Sequence, residues 1–330
     1  MSLRSVLLAL LTLVLTALLV VYAFWQVDLA ALAGLLAGGD YRALLPFELL
    51  LVAYFILTAL RWRLILRPLG RFTLRHVVPP MMIGFGGNNL LPAHLGELVR
   101  SIVFALRQDC SRTAVLTTVV LERLLDVFAI LMLYTGAAMT LHEFPPSIRA
   151  GFWASAVVLG GAALGILAFL RFPHAFVRLW ERLSTSLPAK LRALGSRMLL
   201  GAEAGLSGLR SPWAVAEMVL HSLLKWLGAA GMVWLSLWAY GEVVHPALAV
   251  FVLAVAAIAV TLPSVPGFFG VMQAAFVFAL VPFGVSREVA LASSVFYLLG
   301  QWVPVTVTGV AFFVATGIGL RRMRAEVEQS

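Results

Sequence analysis

Apolar residues in this chain come in long runs, not in the short alternating patterns of a water-soluble core. Six runs, at about 5–25, 46–66, 112–140, 150–170, 213–239 and 287–320, approach or exceed the roughly 18–20 residues that cross a bilayer core. Each predicts a membrane-spanning helix. None alternates with period two, which argues against a transmembrane barrel. The first run follows Arg4 and precedes Ala31-Leu32-Ala33, as in a signal peptide. It is longer than the usual apolar region of such a peptide, so a retained first helix is predicted.

Two further apolar stretches are interrupted. The stretch at about 77–106 carries Gly84, Gly86, Gly87, Asn88, Asn89 and Pro92; that at about 247–284 carries Pro263, Pro266, Gly267 and Gly270. Such clusters break helices, and irregular backbone at membrane depth survives only when buried in protein or lining a wet cavity. Both stretches therefore predict re-entrant hairpins of two half-helices. Between Arg171 and Ser211, apolar positions such as Phe176, Leu179, Trp180 and Leu183 recur at helical spacing among Arg178, Arg182, Lys190 and Arg192. This predicts an amphipathic segment at the membrane interface or packed on the bundle.

Composition agrees. Of 330 residues, 62% are hydrophobic and 12% charged, and the mean hydropathy is +1.00. That excludes a soluble enzyme, a secreted disulfide scaffold and a disordered chain. The single cysteine, Cys110, excludes an internal disulfide and a paired-cysteine metal site. The net charge of +9 would suit nucleic acid, but its distribution points to a membrane. With the N-terminus in the cytoplasm, 19 Lys and Arg fall on the cytoplasmic side and only Arg42, Arg149 and Arg287 outside. Both termini are then cytoplasmic, as in a multi-pass protein of a bacterial inner membrane. In that count Arg61 and Arg63 snorkel from the end of the second span, where phosphate binding is the alternative use. Arg123 and Lys225 remain inside spans.

The halves repeat. Leu91-Pro92-x-x-x-Gly96 matches Leu262-Pro263-x-x-x-Gly267, and Ser111-Arg112 matches Ser286-Arg287. Each half reads as three spans plus one re-entrant hairpin, residues 1–149 and 150–330. With opposite hairpin entry, the fold class is an all-α polytopic membrane protein built as an inverted repeat, a plan that places a site at mid-membrane.

Candidate chemistry concentrates in Glu97, Arg100, Glu122, Arg123 and Asp126. Unpaired at the bilayer centre, five charges would cost roughly 12–18 kcal/mol. They are expected to be paired or wet, with Glu97 and Arg100 close enough to pair at i, i+3. They form either a structural cluster or a polar cavity for a charged headgroup, with Glu122 or Asp126 as a proton carrier. The half-helix ends after Pro92 and after Pro266-Gly267 offer free N–H groups to an anion. Asn88 and Asn89 could bind backbone or substrate. Glu217, His221 and Lys225 share a helix face. No catalytic signature is present, and no metal site or cofactor is expected.

The stretch Asn88-Asn89-Leu90-Leu91-Pro92-Ala93-His94-Leu95-Gly96-Glu97-Leu98-Val99-Arg100, followed by Leu121-Glu122-Arg123-Leu124-Leu125-Asp126, resembles the lysylphosphatidylglycerol synthase transmembrane-region family. That family includes the flippase domain of the multiple peptide resistance factor and stand-alone membrane proteins. Leu262-Pro263-Ser264-Val265-Pro266-Gly267-Phe268-Phe269-Gly270 resembles its second motif. By similarity Asn89, Pro92, Gly96, Glu97, Arg100, Glu122, Arg123 and Asp126 take motif positions. His94 stands where the family usually has Arg, and Gln273 near where it often has Glu. The resemblance implies lipid translocation without catalysis. The expected ligand is a phospholipid or polyprenyl-phosphate lipid, held by these residues together with Asn88, His94, Pro263, Pro266, Gly267, Gly270 and Gln273. No nucleic acid is expected as a partner; a homo-oligomer is compatible. A membrane transferase acting on a lipid carrier, a secondary transporter of an ion or small solute, and a scaffold are the alternatives.

Overall fold

In the computed structural model, residues 3–91, 94–140, 172–189, 212–261 and 265–316 are described, with scattered positions between 157 and 199. Among them there are helices and loops and no strand. The elements are α1 (Leu3–Phe24), α2 (Leu29–Gly38), α3 (Leu44–Ile65), α4 (Leu74–Leu90), α5 (Leu95–Gln108), α6 (Arg112–Thr140), α7 (Pro173–Leu183), α8 (Pro212–Trp238), α9 (Pro246–Ala259), α10 (Val271–Leu280) and α11 (Arg287–Ala315). The predicted span at 150–170, the loop at 142–149, Pro92, Pro263 and the C-terminal arginines lie outside the described residues.

Lengths separate two kinds of helix. At 1.5 Å per residue, α3, α6, α8 and α11 run about 33, 43, 40 and 43 Å, enough to cross a hydrocarbon core of about 30 Å. By the same measure α5, α9 and α10 reach only about 21, 21 and 15 Å. The surface of the long helices is inverted relative to a soluble protein. Leu45, Leu49, Val52 and Ile56 form an exposed stripe on α3, and Val303, Val307, Val310 and Val314 form another on α11. Continuous apolar stripes at i, i+3, i+4 spacing need an apolar solvent, which a bilayer supplies.

The first interrupted stretch is a helix pair, but its break lies elsewhere than expected. Gly84, Gly86, Gly87, Asn88 and Asn89 do not interrupt α4, which stays helical to Leu90; His94, just before α5, takes a left-handed φ of 54°. The glycines serve close packing. A Cβ on Gly84 would sit 2.5 Å from Arg100 Cβ, and one on Gly96 would strike the Gly84 carbonyl and lie 2.5 Å from Asn88 N. This pairing, with Gly84 beside Arg100 and Gly87 beside Gly96, makes α4 and α5 antiparallel. On its other face, Gly86 meets Gly309 of α11.

The second stretch gives α9 and α10, packed together and joined through a turn at 265–270. Gly267 (φ 84°), Phe268 (φ 61°) and Gly270 (φ 83°) carry the left-handed backbone that makes it. Gln273 Oε1 accepts the Gly270 N–H at 2.7 Å and caps α10. Helix α2 was not anticipated; Asp28 caps it by accepting from Ala30 and Ala31, and it bends 84° away from α1.

Candidate functional site

Arg61 lies four residues from the end of α3. Instead of snorkelling it is fully buried among α3, α6 and α8. Its guanidinium donates to Asp126 Oδ1 at 2.6 Å, Glu122 Oε1 at 3.0 Å and Ser222 Oγ at 2.7 Å. The other Glu122 oxygen pairs with Arg100 of α5, which is 1% exposed. Lys225 Nζ of α8 reaches Asp126 Oδ1 at 2.7 Å, and the Trp226 indole N–H donates to the same oxygen at 3.0 Å. One buried cluster thus ties together α3, α5, α6 and α8.

The pairing differs from the i, i+3 expectation. Arg100 goes to Glu122, while Glu97 pairs with Arg123 at 2.8 Å; Arg123 Nη1 stands 3.8 Å from Asp126 Oδ2. Arg123 is the partly open member, its side chain 40% exposed. Burial of Arg61 and Arg100 also removes both from the 19 basic residues expected on the cytoplasmic side, which leaves 17 in that expectation against three.

In their ordinary ionisation states, the five fully buried members hold three positive charges (Arg61, Arg100, Lys225) and two negative (Glu122, Asp126). The surplus is +1. Glu97 and Arg123 cancel, so the wider set keeps it. This arrangement does not suit Glu122 or Asp126 as proton carriers: each carboxylate faces at least two cations, and protonating either would enlarge the surplus.

Above the cluster lies a cavity of about 190 Å³. Tyr54, Phe85 and Trp226 line it and lie against the cluster's cations, and Arg123 belongs to both. Lys225 Nζ is 5.0 Å from the ring centres of both Tyr54 and Trp226, and the Arg100 and Arg123 guanidiniums are 5.8 and 5.9 Å from Phe85. The tips of both helix pairs reach this cavity. Asn88, Asn89 and His94 come from the first and Phe268 from the second, and His94 and Phe268 touch with ring centres 5.5 Å apart. Asn89 Nδ2 donates to Thr306 Oγ1 of α11 at 2.9 Å.

Of the residues expected at a site, Asn88, Asn89, His94 and Arg123 line the cavity; Glu97, Arg100, Glu122 and Asp126 form the charge network beside it. Pro266, Gly267, Gly270 and Gln273 shape the second tip without lining the cavity. Gly270 packs on Thr16 and Val20 of α1 instead. Sequence reasoning missed Tyr54, Trp226, Gln301 and Trp302, and it placed Arg61 at the cytoplasmic surface, not in the cluster. It noted Lys225 as intramembrane but set it apart from the acidic residues.

The sequence from 7 to 309 matches the family described as the lysylphosphatidylglycerol synthase TM region. The chain belongs to this family. The matched residues span both helix pairs and every member of the charge cluster, so the cluster and cavity lie within the family's domain. Among curated proteins, none matches the chain.

Proposed function

We propose that this family member is a lipid translocase without a catalytic step. It would hold the anionic head of a phospholipid or polyprenyl-phosphate lipid in the cavity while the chains stay in the bilayer. The observation carrying this reading is the surplus positive charge buried beside a cavity at two converging half-helix tips. A preformed basic site surrounded by lipid-facing apolar stripes suits a ligand with one end in each environment. Arg123, at the cavity wall, is the donor a phosphate would reach first, with two or more N–H groups for its oxygens.

The inverted repeat belongs to this proposal, and helix neighbours support it. Exchange α3 with α8, α4 with α9, α5 with α10 and α6 with α11. The packing of α4 on α11 then becomes that of α9 on α6, α5 on α6 becomes α10 on α11, and α3 on α4 becomes α8 on α9; all six pairs are present. In this scheme α4–α5 enters from the cytoplasm, α9–α10 enters from outside, and both termini are cytoplasmic in a bacterial inner membrane. The 17-to-3 basic distribution favours that orientation.

Reconstitution tests the proposal. Liposomes carry fluorescent phospholipids or a polyprenyl phosphate, and a membrane-impermeant quencher reads leaflet exchange. Wild type should exceed empty vesicles, and Arg123→Ala should fall towards them while remaining folded. Equal exchange by empty vesicles, wild type and Arg123→Ala would remove the proposal.

A further inference from the structure

Given the translocase reading, on which this inference rests, the cavity wall also holds a group that can tie head binding to a proton. Glu122 and Asp126 are locked among cations, so a proton has to be carried by a group with no fixed partner. His94 is such a group. It lines the cavity, and it neither donates nor accepts a hydrogen bond among the described residues. Its ring nitrogens are accessible, unlike Asn88 Oδ1 and Trp302 Nε1, which are buried without partners. Histidine ordinarily titrates at about 6.5, tyrosine at about 10 and arginine above about 12. Of the described wall residues, His94 is therefore the one that changes charge between about pH 5 and 8.

Its neighbours define two states. As a neutral ring His94 rests on Phe268 of the second tip, with ring centres 5.5 Å apart. The charged groups that act on it are Glu97 of α5 and Arg123 of α6. The other titratable wall groups are the hydroxyls of Tyr54 on α3 and Tyr297 on α11, and the α4 wall gives only the amides of Asn88 and Asn89. Arg123 turns its Nε to Glu97 at 2.8 Å, and its two Nη groups make no hydrogen bond among the described residues. A phosphate in the cavity thus meets permanent donors on Arg123 and a conditional one on His94. An imidazolium holds its proton more tightly beside a phosphate, because a hydrogen bond between two charged groups is about twice as strong as a neutral one. We propose that His94 is the proton-taking ligand of this cavity. As an imidazolium it binds the anionic phosphate together with Arg123, and it lets the phosphate go as the neutral ring that rests on Phe268, the proton coming from and returning to water.

Titration calorimetry on the purified full chain in detergent tests this. The probe is short-chain phosphatidylglycerol, whose phosphodiester keeps one negative charge across the range. Affinity should be greatest in acid and fall as the pH rises: between about pH 5.5 and 8 the Kd should grow about tenfold, the size of one hydrogen bond to a charged group. At the midpoint of that slope, two buffers of different ionisation enthalpy should reveal uptake of about half a proton per lipid, as a tenfold linkage requires. His94→Asn tolerates left-handed backbone and stays neutral, so it should bind at the weak alkaline level at every pH, without uptake. His94→Arg should bind at the tight level throughout. His221→Asn, away from the cavity, should keep the wild-type slope. Thermal melting confirms folding, and if neither His94 variant folds, proton uptake by wild type decides. A pH-independent affinity, binding without uptake, or a slope that survives in His94→Asn would overturn the inference.

Leaflet exchange on the same preparations separates the two claims. Proton-linked binding with no exchange beyond empty vesicles removes the translocase and leaves the role of His94. Exchange together with pH-independent binding removes the role of His94 alone. Soluble glycerophosphoglycerol carries the same diester without chains; binding it as tightly as the lipid would make the ligand a soluble phosphodiester, keeping the proton link and removing the lipid.

Discussion

The buried cluster makes an asymmetric prediction: removing an acid should harm the protein more than removing a base. Asp126→Leu leaves Arg61, Arg100 and Lys225 facing Glu122 alone, and the surplus rises from +1 to +2. Breaking a buried pair so that a charge is uncompensated costs about 3–5 kcal/mol. Lys225→Met removes one positive charge and balances the set. Asp126 Oδ1 would still accept from Arg61 at 2.6 Å and Trp226 at 3.0 Å, so the oxygen that Lys225 leaves keeps two donors. The loss is then at most one hydrogen bond to a charged group, about 1.5–3 kcal/mol, offset in part because an ammonium no longer has to be buried.

The gap between the two variants is therefore about 2 kcal/mol. The double variant Asp126→Leu/Lys225→Met leaves Arg61 and Arg100 each on its own Glu122 oxygen, and should be milder than Asp126→Leu alone. At roughly 2–4 °C per kcal/mol, Asp126→Leu should lower the melting temperature in detergent by about 10 °C and Lys225→Met by less than half of that. The double variant should recover several degrees. A Lys225→Met protein as damaged as Asp126→Leu, or a double variant equal to the sum of the singles, would refute the charge count.

Three further outcomes are expected. Gly96→Ala should prevent normal assembly of the α4–α5 pair, because its Cβ would strike the Gly84 carbonyl, a backbone atom that cannot swing aside; a melting temperature within 2 °C of wild type, a shift of only about 1 kcal/mol or less, would contradict that crossing. In a Cys110-free background, Thr185→Cys should label only from the cytoplasmic side and Glu242→Cys only from outside; the reverse pattern would invert the proposed orientation. Cys110, in the loop after α5, has its thiol pushed up by burial and then by Asp109. Since the thiolate reacts, maleimide labelling should be slow at neutral pH and rise through the alkaline range, and Asp109→Asn should quicken it at a given pH; a pH-independent rate would contradict this.

The long helices were legible because lipid imposes a crude requirement, about 20 apolar residues in a row, that tertiary contacts rarely override. α3, α6, α8 and α11 begin within two residues of their predicted starts. The helix pairs were legible as interruptions, but for a partly wrong reason. Gly84, Gly86 and Gly87 look like a break in one dimension and prove to be contact surfaces on two faces of α4, towards Gly96 and Gly309. Only the partner's position tells those uses apart. Arg61 was hidden by its place in the chain: a basic residue four positions from a helix end normally reaches water, and nothing local shows that Glu122 and Asp126, 61 and 65 residues on, will claim it. Lys225 carried a usable signal, since an intramembrane cation requires a counter-charge. What sequence could not supply was which acid on which helix.

The position of the cluster bears on how access to the cavity could alternate. Its members come from α3, α5, α6 and α8, so α5 is tied by Arg100 to Glu122 of α6, and α6 is tied through Arg61 and Lys225 to α3 and α8. The second pair, α9–α10, contributes no member among the described residues; it meets the first pair through the turn at Pro266–Phe268, which packs on α4 and includes the His94–Phe268 ring contact. A contact between two rings is worth about 0.5–1.5 kcal/mol beyond its buried area, whereas breaking one buried ion pair costs about 3–5 kcal/mol. Under the inverted-repeat reading, the weaker contact yields first. The α4–α5 pair and its charge network would then act as the fixed half, and the turn at 265–270, with left-handed backbone at Gly267, Phe268 and Gly270, as the half that moves. Phe268→Ala should therefore raise leaflet exchange or leave it unchanged, while substitutions in the cluster lower it. A loss of exchange in folded Phe268→Ala as deep as that in Arg123→Ala would place the two halves on an equal footing and remove this division of roles.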